Sequence, residues 1–116
     1  MDQSLLQQAR QEWQELLNAA EQGDPRCLAY RSIFQAILQE DLARVFPHLS
    51  MWTLRLSLCP TYPWDQSGLP EVNYNPENGQ QFNLDEGPWL SLSQTLEALR
   101  PLLRAAEAYP SEPEED

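Results

Sequence analysis

The chain is expected to fold as a single α+β domain, because its apolar residues change period twice. They recur at helical spacing through the first 46 residues, alternate at strand spacing from Trp52 to Leu58, and return to helical spacing from Leu92 to Ala106. Proline and glycine stand where the period changes, at Gly23, Pro47, Pro60 and Gly87-Pro88. A length of 116 residues leaves room for one modest core, expected over 1–109, with an acidic tail over 110–116. A hydrophobic content of 41% with four tryptophans argues against wholesale disorder, despite ten prolines and a net charge of −11.

The first helix is expected to begin at Ser4, whose spacing to Gln7 is that of a capping box. Leu6, Ala9, Trp13, Leu16, Leu17 and Ala20 form its apolar stripe, and Gly23 ends it. Asp24 then suits an N-cap, and Pro25 the first helical position, where its missing N–H has no helical partner to lose. The second helix is expected to run to about Phe46 on a stripe of Tyr30, Ile33, Phe34, Ile37, Leu38, Leu42 and Val45, with Pro47 as its stop. So short a connection predicts an antiparallel αα-hairpin.

Trp52, Leu54, Leu56 and Leu58 alternate with Thr53, Arg55 and Ser57, the pattern of a half-buried strand. Val72-Tyr74 and Phe82-Leu84 carry two further strand signals, and Pro76-Glu77-Asn78-Gly79 supplies turn chemistry between them. A small antiparallel β-meander of about three strands follows. Ser91 and Gln94 repeat the capping-box spacing ahead of a closing helix on Leu92, Leu96, Leu99, Leu103 and Ala106, in which Pro101 is expected to make a kink or a split. From Tyr109 onward two prolines and four acids predict a solvated end.

Charge narrows the function classes. The chain has 18 acidic residues against seven basic ones, and all seven are arginine. Between Arg55 and Arg100 no cationic side chain occurs, while Asp65, Glu71, Glu77, Asp85, Glu86 and Glu97 accumulate. Such a surface repels nucleic acid and anionic membrane and attracts basic protein faces. No apolar run approaches the ~18 residues that span a bilayer. Met1-Asp2-Gln3-Ser4 lacks the basic and apolar regions of a secretory signal, so a cytoplasmic protein is expected, with Cys27 and Cys59 as reduced thiols.

Few constellations carry chemistry. Cys27 falls at the third position of the second helix, where end amides and Arg26 lower a thiol pKa while Asp24 opposes them. A small cysteine-dependent enzyme built on it would need a partner imidazole, and the single histidine, His48, reads more simply as a dipole partner at a helix end. Asn73, Asn75, Glu77, Asp85 and Glu86 have the oxygen donors of a calcium loop over 73–86. The EF-hand pattern fails there, because its sixth and twelfth places hold Asn78 and Leu84; a polar hairpin turn explains the same residues. Glu40 and Asp41 are neighbours that a helix points apart, and Glu40 is expected to pair with Arg44 one turn on. No phosphate loop, HExxH, GxSxG or CxxC pattern is present, so no catalytic residue, metal site or cofactor is expected.

The aromatic residues offer more. Tyr62-Pro63-Trp64 and Gly87-Pro88-Trp89 set large rings beside stiff prolines inside the cation-free region. Rings held this way lose little entropy on docking, although plugging the ends of a small core would use them equally well. The expectation is a non-catalytic acidic binding module: an inhibitor, immunity-type protein, assembly chaperone or regulatory adaptor. Its site would comprise Tyr62, Trp64, Asp65, Glu71, Glu77, Asp85, Glu86 and Trp89, docking on a basic protein, and one version of this reading is mimicry of nucleic-acid phosphates.

Overall fold

The structure, a computed structural model, describes residues 3–77 and 81–110. Asn78 and Gly79 of the turn signal, and the acidic tail after Pro110, lie outside the described residues. The architecture is α+β: three N-terminal helices, a four-stranded antiparallel sheet in the order β1-β2-β3-β4, and a C-terminal helix.

Helix α1 (Gln3–Glu21) buries Leu5, Ala9, Trp13 and Ala20. Ser4 therefore lies inside its first turn instead of ahead of it. Gly23, at φ 94°, turns the chain, and Asp24 caps α2 (Pro25–Ala29) by accepting from the amides of Arg26 at 3.1 Å and Cys27 at 3.2 Å. The expected second helix is divided. Tyr30 closes α2 and opens α3 (Arg31–Gln39), and its hydroxyl donates to the carbonyls of Trp52 at 2.6 Å and Val72 at 2.9 Å.

Helix α3 also ends well before Phe46. Asp41 adopts φ 58°, and the Leu42 amide reaches back to the Ile37 carbonyl at 2.8 Å. This is the hydrogen bond of a Schellman cap, with buried Ile37 and Leu42 as its apolar partners. Leu42, Val45 and Phe46 are buried as their pattern requires, but outside any helix. Trp13 holds that stretch against α1, its Nε1 donating to the Val45 carbonyl at 2.8 Å.

Phe46 opens β1 (Phe46–Ser50), a strand in the stretch read as helix and stop. It pairs antiparallel with β2 (Thr53–Ser57), from Phe46 opposite Ser57 to Ser50 opposite Thr53. Met51, at φ 55°, and Trp52 form the turn, so Trp52 belongs to the hairpin end and not to the strand. Strands β3 (Val72–Tyr74) and β4 (Phe82–Leu84) complete the meander where the sequence places them.

The main core gathers Trp13, Tyr30, Ile33, Phe34 and Ile37 of the helices with Leu54, Leu56, Val72 and Phe82 of the sheet. Each such side chain contributes about 1.5–3 kcal/mol by leaving water. Helix α4 (Leu92–Ala105) starts with the expected capping box of Ser91 and Gln94 and adds Leu96, Leu99 and Leu103 to the core. It passes through Pro101 as one helix and is not split. Its Arg100 grips Glu40 at 2.7 and 3.1 Å, replacing the expected Glu40–Arg44 pair, since Arg44 lies beyond the end of α3. A second small cluster joins Leu5, Ala9 and Phe46 to Ala108, so the chain is packed beyond α4.

Candidate functional site

Alternation along the strands sends Leu54, Leu56 and Val72 into the core and leaves the opposite face of the sheet polar. On that face the register forms rows. Thr53, Asn73 and Asn83 make one, joined by Thr53 Oγ1 donating to Asn73 Oδ1 at 2.8 Å and Asn73 Nδ2 donating to Asn83 Oδ1 at 2.9 Å. His48 lies opposite Arg55 in the next row, and Arg55 Nε donates to Glu71 at 3.1 Å. Asp85 closes it: its carboxylate accepts from the Glu71 amide at 2.9 Å, and its own amide donates to the Glu71 carbonyl at 3.0 Å. Asp85 and Glu86 hold these places at φ 51° and 61°.

The connection from β2 to β3 folds over the same face. Ser57 Oγ, buried, accepts from the amides of Cys59 at 3.2 Å and Asp65 at 3.1 Å. Trp64 stacks on His48 with ring centroids 3.4 Å apart, and Tyr62 meets Trp64 edge-on at 5.8 Å. Burial beneath the stack holds the His48 imidazole below its ordinary value, and its Nε2 has no hydrogen-bond partner. Beyond α4, Tyr109 returns to this connection: its amide donates to the Leu58 carbonyl at 2.9 Å and its hydroxyl to the Asp65 carboxylate. Tyr109, read from composition as the start of a solvated end, is therefore anchored. Hydrogen bonds from Ser67 and then Tyr109 hold the Asp65 carboxyl below the usual range, while the Tyr109 hydroxyl is pushed up to about 12 by Asp65.

Among the expected site residues, Tyr62, Trp64, Glu71 and Asp85 thus fall on one continuous path through His48 and Arg55, and Asp65 is tied to Ser57 and Tyr109 beside it. Glu86 follows Asp85 at the exposed end of the row. Glu77 sits at the other end of the β3–β4 hairpin, exposed, its amide donating to Asn75 at 2.9 Å. Trp89 precedes Leu90, which bridges Phe82 at the far edge of the sheet. Tyr62 at 79% and Trp89 at 42% exposure leave their rings to solvent, whereas Trp64 is half-buried. His48 and Arg55 were missed as site residues. The alternation that put Leu54 and Leu56 inside also put Arg55 outside, but nothing in sequence places His48 opposite it until β1 is known.

The other constellations fare differently. Cys27 is buried in the main core, on the opposite side of the sheet from His48. Its thiol is pushed up by desolvation first and by Asp24 second, so the helix end does not activate it. In the 73–86 stretch, both polar atoms of the Asn73 amide are taken up by Thr53 and Asn83, and Asn75 Oδ1 accepts from Glu77. Among the described residues, no group of three or more His, Cys, Asp or Glu is placed to hold a metal ion. Nor is any helix among them long and apolar enough to cross a membrane. Comparison of the chain with models of known protein families, with curated proteins and with solved structures returns no match.

Proposed function

We propose that the protein is a non-catalytic binding module that docks the acidic, aromatic region between Arg55 and Arg100 on a basic face of a partner protein. The observation that carries this reading is the separation of charge. Arg10, Arg31 and Arg100 are paired with Asp41, Glu21 and Glu40, and among the described residues Arg55 is the one cation paired within the acidic region, where it engages Glu71. Glu77, Asp85 and Glu86 have no cationic partner among the described residues and stand exposed. Carboxylates left to water in one region set up a field that speeds encounter with a basic surface, and the exposed rings of Tyr62 and Trp89 supply contact area once docked.

An inhibitor, immunity-type protein, assembly chaperone or adaptor of the cytoplasm would work in this way. A nucleic-acid-binding protein is the partner class whose basic surface such a module suits best, with carboxylates standing in for phosphates. The test is affinity capture at low salt with the wild-type chain beside a variant carrying Glu71→Gln, Glu77→Gln, Asp85→Asn and Glu86→Gln. These substitutions keep the acceptor oxygens that Arg55 and the Glu71 amide use, and Asn tolerates the positive φ at Asp85. One basic protein held by the wild type, released by salt and lost from the variant supports the reading. Equal retention by both, or nothing retained, would count against it.

A further inference from the structure

Apart from the acidic face, α1 and the segment after α3 enclose a cleft of about 460 Å³ lined by Gln3, Leu6, Gln7, Arg10, Asp41, Ala43 and Arg44. Two arginines line it, in a chain whose net charge is −11. The two come from separate segments, Arg10 from α1 and Arg44 from the irregular stretch between α3 and β1. Both walls are fixed: the Leu42 amide bonds Ile37 at 2.8 Å, the Arg44 amide bonds the Leu42 carbonyl at 2.8 Å, and Trp13 ties Val45 to α1 at 2.8 Å.

Arg44 Nε is shielded from water and has no acceptor among the described residues. A buried donor of a charged group left without an acceptor is destabilising, so such a group calls for a partner. Arg10 is scarcely committed. Its ion pair with Asp41 spans 3.9 Å, beyond hydrogen-bond reach, and both side chains are more than half exposed. Gln3 and Gln7 add amide donors on the first turns of α1, the end of the helix that carries partial positive charge.

We propose that this cleft binds a compact oxyanion, a phosphate or carboxylate group, between the guanidiniums of Arg10 and Arg44. Arginine's planar fork matches such groups with paired hydrogen bonds, and Leu6 and Ala43 give the cleft apolar walls for a small body attached to the anion. Asp41 would swing away from Arg10, losing only a long, solvated contact. This site is independent of the acidic docking face and stands or falls without it.

The test follows the arginine Nε–H resonances by nitrogen-15 NMR while the full chain is titrated with sodium phosphate, sodium citrate, or sodium chloride at matched ionic strength. The expected result is a saturating shift of the Arg44 Nε–H with phosphate or citrate and none with chloride. Saturation with phosphate alone assigns the site to phosphate esters, with citrate alone to carboxylates, and with both to the shared oxyanion chemistry. Arg44→Lys keeps the charge but removes the buried donor and is expected to weaken binding at least tenfold. Arg10→Gln changes an exposed side chain, leaves folding intact and is expected to weaken binding at least as much. Shifts that track chloride, or saturation unchanged in Arg10→Gln, would overturn the proposal.

Discussion

Tyr30 joins helix and sheet through a single hydroxyl. It is fully buried between α2 and α3, packs against Phe34, Tyr74 and Phe82, and donates to carbonyls of both Trp52 and Val72. Desolvation raises its pKa, so the donor stays protonated. Tyr30→Phe keeps the ring and removes the hydroxyl donor, while the Trp52 carbonyl still accepts from the Tyr74 amide at 3.1 Å; a loss of about 1 kcal/mol in urea unfolding is expected. His48 gives the fold a pH dependence of known sign. Its folded-state pKa lies below the ordinary 6.5, so the unfolded chain takes up this proton first as pH falls. Stability from this residue is complete above the unfolded value and is lost as pH drops through it toward the folded one. Urea midpoints measured between pH 7.5 and 5.5 are expected to fall in the wild type and to flatten in His48→Gln. Cys27 and Cys59 are both buried, and the Cys27 thiol is raised. Both are expected to label slowly with iodoacetamide at neutral pH and quickly in urea; selective fast labelling of Cys27 in the folded chain would revive a thiol enzyme.

Among the elements, those announced by side-chain chemistry were legible in sequence, and those made by backbone conformation were not. The Asp24 cap, the Ser91–Gln94 box and the alternation of β2 all stand where the residues put them. The end of α3 did not, because its left-handed residue is Asp41 and not a glycine, and the apolar stripe runs on through Leu42, Val45 and Phe46 into β1. The same blindness hid the β1–β2 hairpin, whose positive φ falls on Met51. With β1 went the site, since only its register sets His48 opposite Arg55 and under Trp64. The aromatic and acidic members could be read off the chain; their arrangement in rows could not. If Met51 pays the ordinary cost of a left-handed side chain, Met51→Gly should raise the urea midpoint by about 1 kcal/mol equivalent, and an unchanged or lower midpoint would place the strain elsewhere.

For the whole molecule, charge is sorted more than it is neutralised. Arginines brace the helices and the inner strands of the sheet, Arg55 on Glu71 and Arg100 on Glu40, where the hydrogen bond holds the Glu40 carboxyl below the usual range. In the stretch between Arg55 and Arg100, Glu77, Asp85 and Glu86 stand exposed with no cationic partner among the described residues. Fields of this kind act over a Debye length of about 8–10 Å at physiological ionic strength, so they govern encounter more than the docked state. The most direct measurement is the association and dissociation rate of the captured partner with the wild type and with the Glu71→Gln, Glu77→Gln, Asp85→Asn, Glu86→Gln variant, across a series of salt concentrations. The expected result is an association rate that falls steeply with salt in the wild type and is already low in the variant, with dissociation little changed. An association rate indifferent both to salt and to the four substitutions would contradict docking by the acidic face.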